Sequence, residues 1–243
     1  QMLTAFNGGD FERAREIAER IILENPGDWR TRYNLALILA RMGEDDASAE
    51  ALIDAISFGF VDLHEMERDP NLVRVRTTRT YRRIVDRWGV LLDAVAESRF
   101  DATKGTLGPA YADAQDESQR LYWLSAVRGD GFEHAREEVS RVSAWCADEG
   151  LFSDAEARKP DPWVTVILPT GEDFAVLVPY AMVGGTYARD EKRLVTRDLG
   201  PTLRHEFFHV LHWRDMDRLA QVHPIWVQEG MASLLEDVEI DSS

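Results

Sequence analysis

Cysteine is nearly absent from this chain. Cys146 is the only one, so no internal disulfide can form. That fits a reducing compartment without requiring one, because exported proteins can also lack disulfides. Lysine is scarce as well: Lys104, Lys159 and Lys192 are the only three, and arginine carries the rest of the positive charge. Acid dominates, with a formal net charge of −16, and the excess is larger after residue 100 than before it. Such a surface repels a phosphate backbone, which argues against a nucleic-acid partner. No apolar run approaches the roughly 20 residues that a membrane helix needs, so no membrane segment is expected in this chain. The opening residues, QMLTAFNGGDFERA, carry no basic-then-apolar leader. A targeting segment ahead of Gln1 is left open, and the compartment with it.

What is present begins with helices. Over residues 10–24, Phe11, Ala14, Ile17, Ala18, Ile21 and Ile22 recur at helical spacing. Asn25-Pro26-Gly27 breaks the pattern, and Asp28 is an N-cap for a second helix over 29–42. Gly43 ends that helix, and a third follows over about 44–57. Gly9 and Gly43 stand 34 residues apart, each ahead of a helix, which is the tetratricopeptide period. Gly9-Asp10-Phe11-Glu12-Arg13-Ala14 resembles the turn into the second helix of such a repeat. Tyr33-Asn34-Leu35-Ala36 resembles the start of the next first helix. The resemblance implies tetratricopeptide-like helical hairpins over residues 1–97, with a surface that could hold a protein partner. Arginines 74, 76, 79, 82, 83 and 87 read as a solvated face countering Glu65, Glu67, Asp69 and Asp86.

The second half reads as α+β. A boundary is placed near Ser98, where Gly, Ser, Asp and Ala become frequent. Residues 132–149 form one amphipathic helix with Cys146 on its packed side. Residues 163–168, WVTVIL, form a strand, and Phe174 to Val178 is a second strand candidate. Residues 182–188 and 193–196 read as a hairpin around Arg189-Asp190-Glu191-Lys192. Pro201 then opens a helix at the position where its missing N–H costs nothing.

That last helix carries His205-Glu206-Phe207-Phe208-His209, an H-E-x-x-H motif. Residues four apart lie on one helical face, so both imidazoles can aim at one ion, with Glu206 near enough to serve a water. Twenty residues after His209 comes Glu229, within Trp226-Val227-Gln228-Glu229-Gly230-Met231-Ala232. This segment closely resembles the glutamate-helix motif of the gluzincin metallopeptidases, similar to the peptidase MA-like group. The order of elements over about 130–240 resembles their catalytic subdomain too. The resemblance implies a zincin-like domain over 98–243, with a small mixed sheet, a backing helix, the motif helix and a glutamate helix. It implies one zinc ion on His205, His209 and Glu229, with Glu206 as general base for peptide-bond hydrolysis of a peptide or protein substrate.

Asp215 is the competing third ligand, at the position where metzincins take theirs. Those enzymes turn sharply through a glycine, which here is His212, and no glycine occurs from Thr202 to Glu229. Glu229 is therefore favoured. Tyr180, Tyr187, Tyr111 and His223 are candidates for an oxyanion donor, and Ser233, Glu236 and Asp237 for groups orienting the histidines. The alternative to an enzyme is a tetratricopeptide scaffold whose zincin domain is inactive or structural.

Overall fold

The structure is a computed structural model and describes residues 1–152, 160–178 and 183–236. The chain divides into two compact units, Gln1–Val95 and Ala96–Ser243.

Unit one is helical. Among its described elements α1 (Met2–Asn7), α2 (Phe11–Glu24), α3 (Trp29–Met42) and α4 (Asp45–Ser57) follow at short intervals. The expected cap is in place, with Asp28 accepting from Arg30 N and Thr31 N, and Asp10 caps α2 in the same way by accepting from Arg13 N. Gly9 and Gly43 share a left-handed backbone, at φ of 80° and 85°, which favours glycine at both turns. Buried Ser48 donates its hydroxyl to Ala36 O at 2.7 Å, tying α4 to α3. Beyond come α5 (Leu63–Arg68), two 3₁₀ turns at Pro70–Leu72 and Val75–Thr77, and α6 (Arg79–Asp86). Tyr33 stacks on Phe60 at 4.5 Å within this unit's core. The arginine run is partly structural: Arg76 donates to Asp69 O at 2.6 Å and Arg74 pairs with Asp45 at 2.8 Å.

The next helix, α7 (Trp88–Leu107), runs through the expected boundary at Ser98. Gly105 does not break it, since helix propensity costs only about 1 kcal/mol for one glycine. In unit two follow β1 (Ala112–Asp116), β2 (Leu121–Ser125), α8 (Asp130–Asp148), β3 (Val164–Leu168), α9 (Gly171–Leu177), β4 (Gly185–Ala188), β5 (Arg193–Thr196), α10 (Pro201–Leu219) and α11 (Ile225–Ser233). The five strands make one mixed sheet in the order β1-β2-β3-β5-β4, with β2, β3 and β5 parallel and both outer strands antiparallel.

Side chains alternate across this sheet. Leu121, Trp123, Val164, Val166 and Leu194 face a core shared with α8, α10 and α11. Tyr122, Leu124, Ile167 and Val195 face a second core with Phe100, Tyr111 and Phe174. A sheet covered on both faces explains why all five residues of β3 are buried. Cys146 lies in the first core, where burial pushes its thiol up to about 12.

One expected strand is a helix. The apolar run Phe174–Val178 predicts a strand, yet Gly171–Leu177 is α9 and Val178 its C-cap. Thr170 accepts from Asp173 N at 3.1 Å, and Glu172 and Asp173 suit the positive end of the helix dipole. Two strands, β1 and β2, had not been expected. The hairpin of β4 and β5 pairs Gly185 with Thr196 and Ala188 with Arg193. Its proposed start at Met182 lies outside the described residues.

The hairpin's glycines let β4 approach α10. A Cβ on Gly184 would meet Thr202 Oγ1 at 2.9 Å, and one on Gly185 would meet Thr202 Cγ2 and Val195 O at 3.0 Å. Gly185→Val should therefore destabilise the chain by about 1–3 kcal/mol through overpacking. Urea unfolding followed by tryptophan fluorescence reads this, and an unchanged midpoint would contradict the close approach.

Candidate metal centre

Helix α10 is fixed before it is functional. Leu203, Phe207, Phe208 and Val210 are buried in the sheet-facing core. Arg214, also buried, donates to Gln119 O at 2.9 Å, Pro162 O at 3.1 Å and Arg120 O at 3.3 Å. The rotation that satisfies these groups turns His205 and His209 to the side where α11 lies.

There the expected residues meet. His205 Nε2 and His209 Nε2 are 3.1 Å apart. Glu229 places Oε2 3.3 Å from His205 Nε2 and Oε1 3.5 Å from His209 Nε2. A tetrahedral zinc with bonds near 2.0–2.1 Å has ligand–ligand edges of about 3.3 Å. Two imidazole nitrogens and a carboxylate, which meets each ring through a different oxygen, supply the donor set of such a site, with one ligand atom from each residue within 4.8 Å of the others. Among the described residues this trio is the one group of His, Cys, Asp or Glu side chains that could hold an ion. Burial is graded across it: His209 is buried, His205 half-buried, and the Glu229 side chain 51% exposed, so the cluster opens to solvent on the α11 side.

Burial pushes His209 down to about 4, against the pull of Glu229, so its ring is neutral at pH 7, the form that donates a lone pair. Glu206 is pushed up to about 7 by burial, opposed by His205 and by the Tyr187 main-chain N–H, which donates to its carboxylate. Strand β4 thus touches the motif through one backbone hydrogen bond. Glu236 Oε1 stands 2.6 Å from His205 Nδ1, off the axis of the ring N–H, and favours a proton on that nitrogen.

Asp215 takes no part in the cluster. It is buried further along α10, 3.7 Å from Arg218 Nη2. His212 and His223 pair with each other, Nε2 to Nδ1 at 2.7 Å, with Phe152 and Phe208 against the His212 ring. Tyr111 donates to Asp173 at 2.6 Å on the other face of the sheet. Burial raises the pKa of the Tyr187 hydroxyl, and the charges of Arg214, Asp217, Arg189 and Asp190 also act on it. Tyr180 and Asp237 lie outside the described residues. Ser233 ends α11 and is exposed.

Sequence reasoning missed Arg204, Glu138 and Gln228. Arg204 donates from Nε to Leu235 O at 2.8 Å and from Nη1 to Glu138 Oε2 at 2.9 Å. The available signal was a charged residue, Glu138, inside the apolar stripe Ala135, Val139, Val142 of α8.

The His212 ring carries a stability signature. Burial and the neighbouring His223 hold its pKa below the usual histidine value, with Asp215 opposing. The unfolded ring takes its proton near 6.5 and the folded ring only at lower pH. Between the two the unfolded chain binds more protons, so stability falls as pH falls. For metal-free protein the loss below about pH 6.5 should reach a slope of up to about 1.4 kcal/mol per pH unit from this group. His212→Gln should flatten the slope between pH 6.5 and 5; an identical slope in the variant would refute the assignment.

A comparison with protein-family models finds no match, and neither do comparisons with curated proteins and with solved structures.

Proposed function

We propose that unit two is a zinc-dependent peptidase of the gluzincin type. The observation that carries this reading is the convergence of His205, His209 and Glu229, whose ligand atoms lie within 4.8 Å of one another, with Glu206 outside the trio. A structural zinc site closes its sphere with four protein ligands, whereas three ligands and an open side suit catalysis. His205, His209 and Glu229 would hold the ion. Zinc so bound supplies Lewis acidity, lowering the pKa of a water and polarising a carbonyl.

The chain's own residues do the rest. Glu206, oriented by the Tyr187 N–H, takes the proton of the attacking water. It then returns that proton to the amide nitrogen as the C–N bond breaks. The Glu236 carboxylate, 2.6 Å from His205 Nδ1, favours the tautomer whose proton is on that nitrogen and whose lone pair is on Nε2. Strand β4 lies at the sheet edge beside α10, where an extended peptide could add as a further strand. In unit one, the left-handed glycines Gly9 and Gly43, 34 residues apart, support a tetratricopeptide-like stack that would hold a protein substrate or partner.

Zinc titration and a casein or peptide-library assay test the proposal together. Glu206→Gln should keep zinc and lower kcat by about 10²-fold or more. Glu229→Ala should lose zinc along with turnover. Unchanged turnover in Glu206→Gln, or a parent protein that takes up no zinc, would overturn the reading. Zinc uptake with no turnover on any peptide would leave the non-enzymatic scaffold.

A further inference from the structure

The helix that carries Glu229 has little to hold it. Its nine residues, Ile225–Ser233, have no side-chain N-cap, and only Gln228 and Ala232 are buried. Ile225 and Trp226 are 67% and 74% exposed. A helix this short is not stable alone in water, and thin apolar burial does not fix its position to fractions of an ångström. A metal site needs that accuracy from its ligands.

Polar ties hold α11 at both ends, and neither is a ligand. At the N-terminal end Gln228 Nε2 donates to His223 O at 2.6 Å, and the His223 ring meets His212 of α10 at 2.7 Å. The His223 N–H also points to Met216 Sδ, at 3.2 Å. Past the C-terminal end, Arg204 of α10 donates to Leu235 O at 2.8 Å and to Glu236 O at 2.9 Å. Its remaining nitrogen is held at 2.9 Å by Glu138 of the backing helix α8. Both members of that ion pair are largely buried, with side-chain exposures of 13% and 9%. A guanidinium suits this place because its planar fork spans two carbonyls and a carboxylate at once, which an ammonium cannot.

We infer that these two ties are positioning devices for the metal centre. The His212–His223 pair with Gln228, and the Glu138–Arg204 pair with the Leu235 and Glu236 carbonyls, clamp α11 to α10. Between the clamps Glu229 is held at its distance from His205 and His209. The second clamp also sets Glu236 against His205 Nδ1. The inference rests on the metal-binding reading, and it extends that site to residues that touch neither ion nor substrate.

The test measures zinc affinity of the full chain by competition with a chromogenic chelator, beside melting temperatures with and without zinc. Arg204→Lys keeps a cation near Glu138 but cannot span both carbonyls. His223→Ala removes the other clamp. Each should weaken zinc binding about tenfold or more, the range found for groups that orient ligands. The rise in melting temperature on adding zinc should shrink with it. His223→Asn should restore affinity, because an asparagine amide can occupy the place of Nδ1. A merely structural role would lower both melting temperatures together and leave zinc affinity within twofold of the parent; that result in Arg204→Lys and His223→Ala overturns the inference. Should either variant fail to fold, Glu138→Gln gives the same readout for the second clamp and His212→Gln for the first. A parent that binds no zinc, or whose affinity survives Glu229→Ala, defeats the metal reading itself and the clamps with it. Tight binding by the parent, lost in Glu229→Ala but kept in the clamp variants, defeats the clamps alone.

Discussion

The rotation of α10 about its own axis governs unit two. Phe207 and Phe208 are fully buried in the layer between sheet and helices, and each large apolar side chain placed there contributes about 1.5–3 kcal/mol. The imidazoles of His205 and His209, on the same helix, are therefore aimed by phenylalanines that do no chemistry. The price is desolvation: Glu206 and His209 are both carried far enough inward that each is shifted toward its neutral form.

Arginine completes what apolar packing begins. Along α10, Arg204 and Arg214 sit on the same helix three turns apart, and each spends its donors on main-chain carbonyls at the ends of other elements. Burying a guanidinium is expensive unless its donors are met, and a carbonyl left without a donor is expensive as well. The terminal nitrogens of both arginines and these carbonyls meet each other's need. In this way the helix is pinned in translation by ties to the β1–β2 turn, to the entry of β3 and to the end of α11. The chain's strong acid excess gives no hint of this, because the cations that matter are inside.

How much was legible in the sequence follows from how local each cause is. Asp28 and Pro201 act on the helix they open, and both helix starts are legible. The spacing of His205 and His209 is local too. Glu229 was legible only through its motif, and its convergence with the histidines depends on the α10–α11 turn. By contrast the short apolar run from Phe174 to Val178 suits a strand as well as a helix, and the Thr170 cap on Asp173 N decides for the helix. Strand β1 alternates half-buried and exposed residues with no large apolar side chain, so only its pairing with β2 identifies it. Arg204 reaches Glu138 across 66 positions and Leu235 across 31. No window of sequence contains such a contact.

The buried thiol has a practical consequence. Cys146 packs among α8, the sheet and α10, and a thiol held up to about 12 is almost entirely protonated at neutral pH. Alkylating reagents attack the thiolate and need access, so the native chain should be silent to them. With one thiol in the whole chain, any modification that does appear counts openings of that single layer, the layer that aims the histidines. Its labelling rate is thus a clock for the breathing of the layer beneath the His205–His209–Glu229 cluster, readable without touching any of the three.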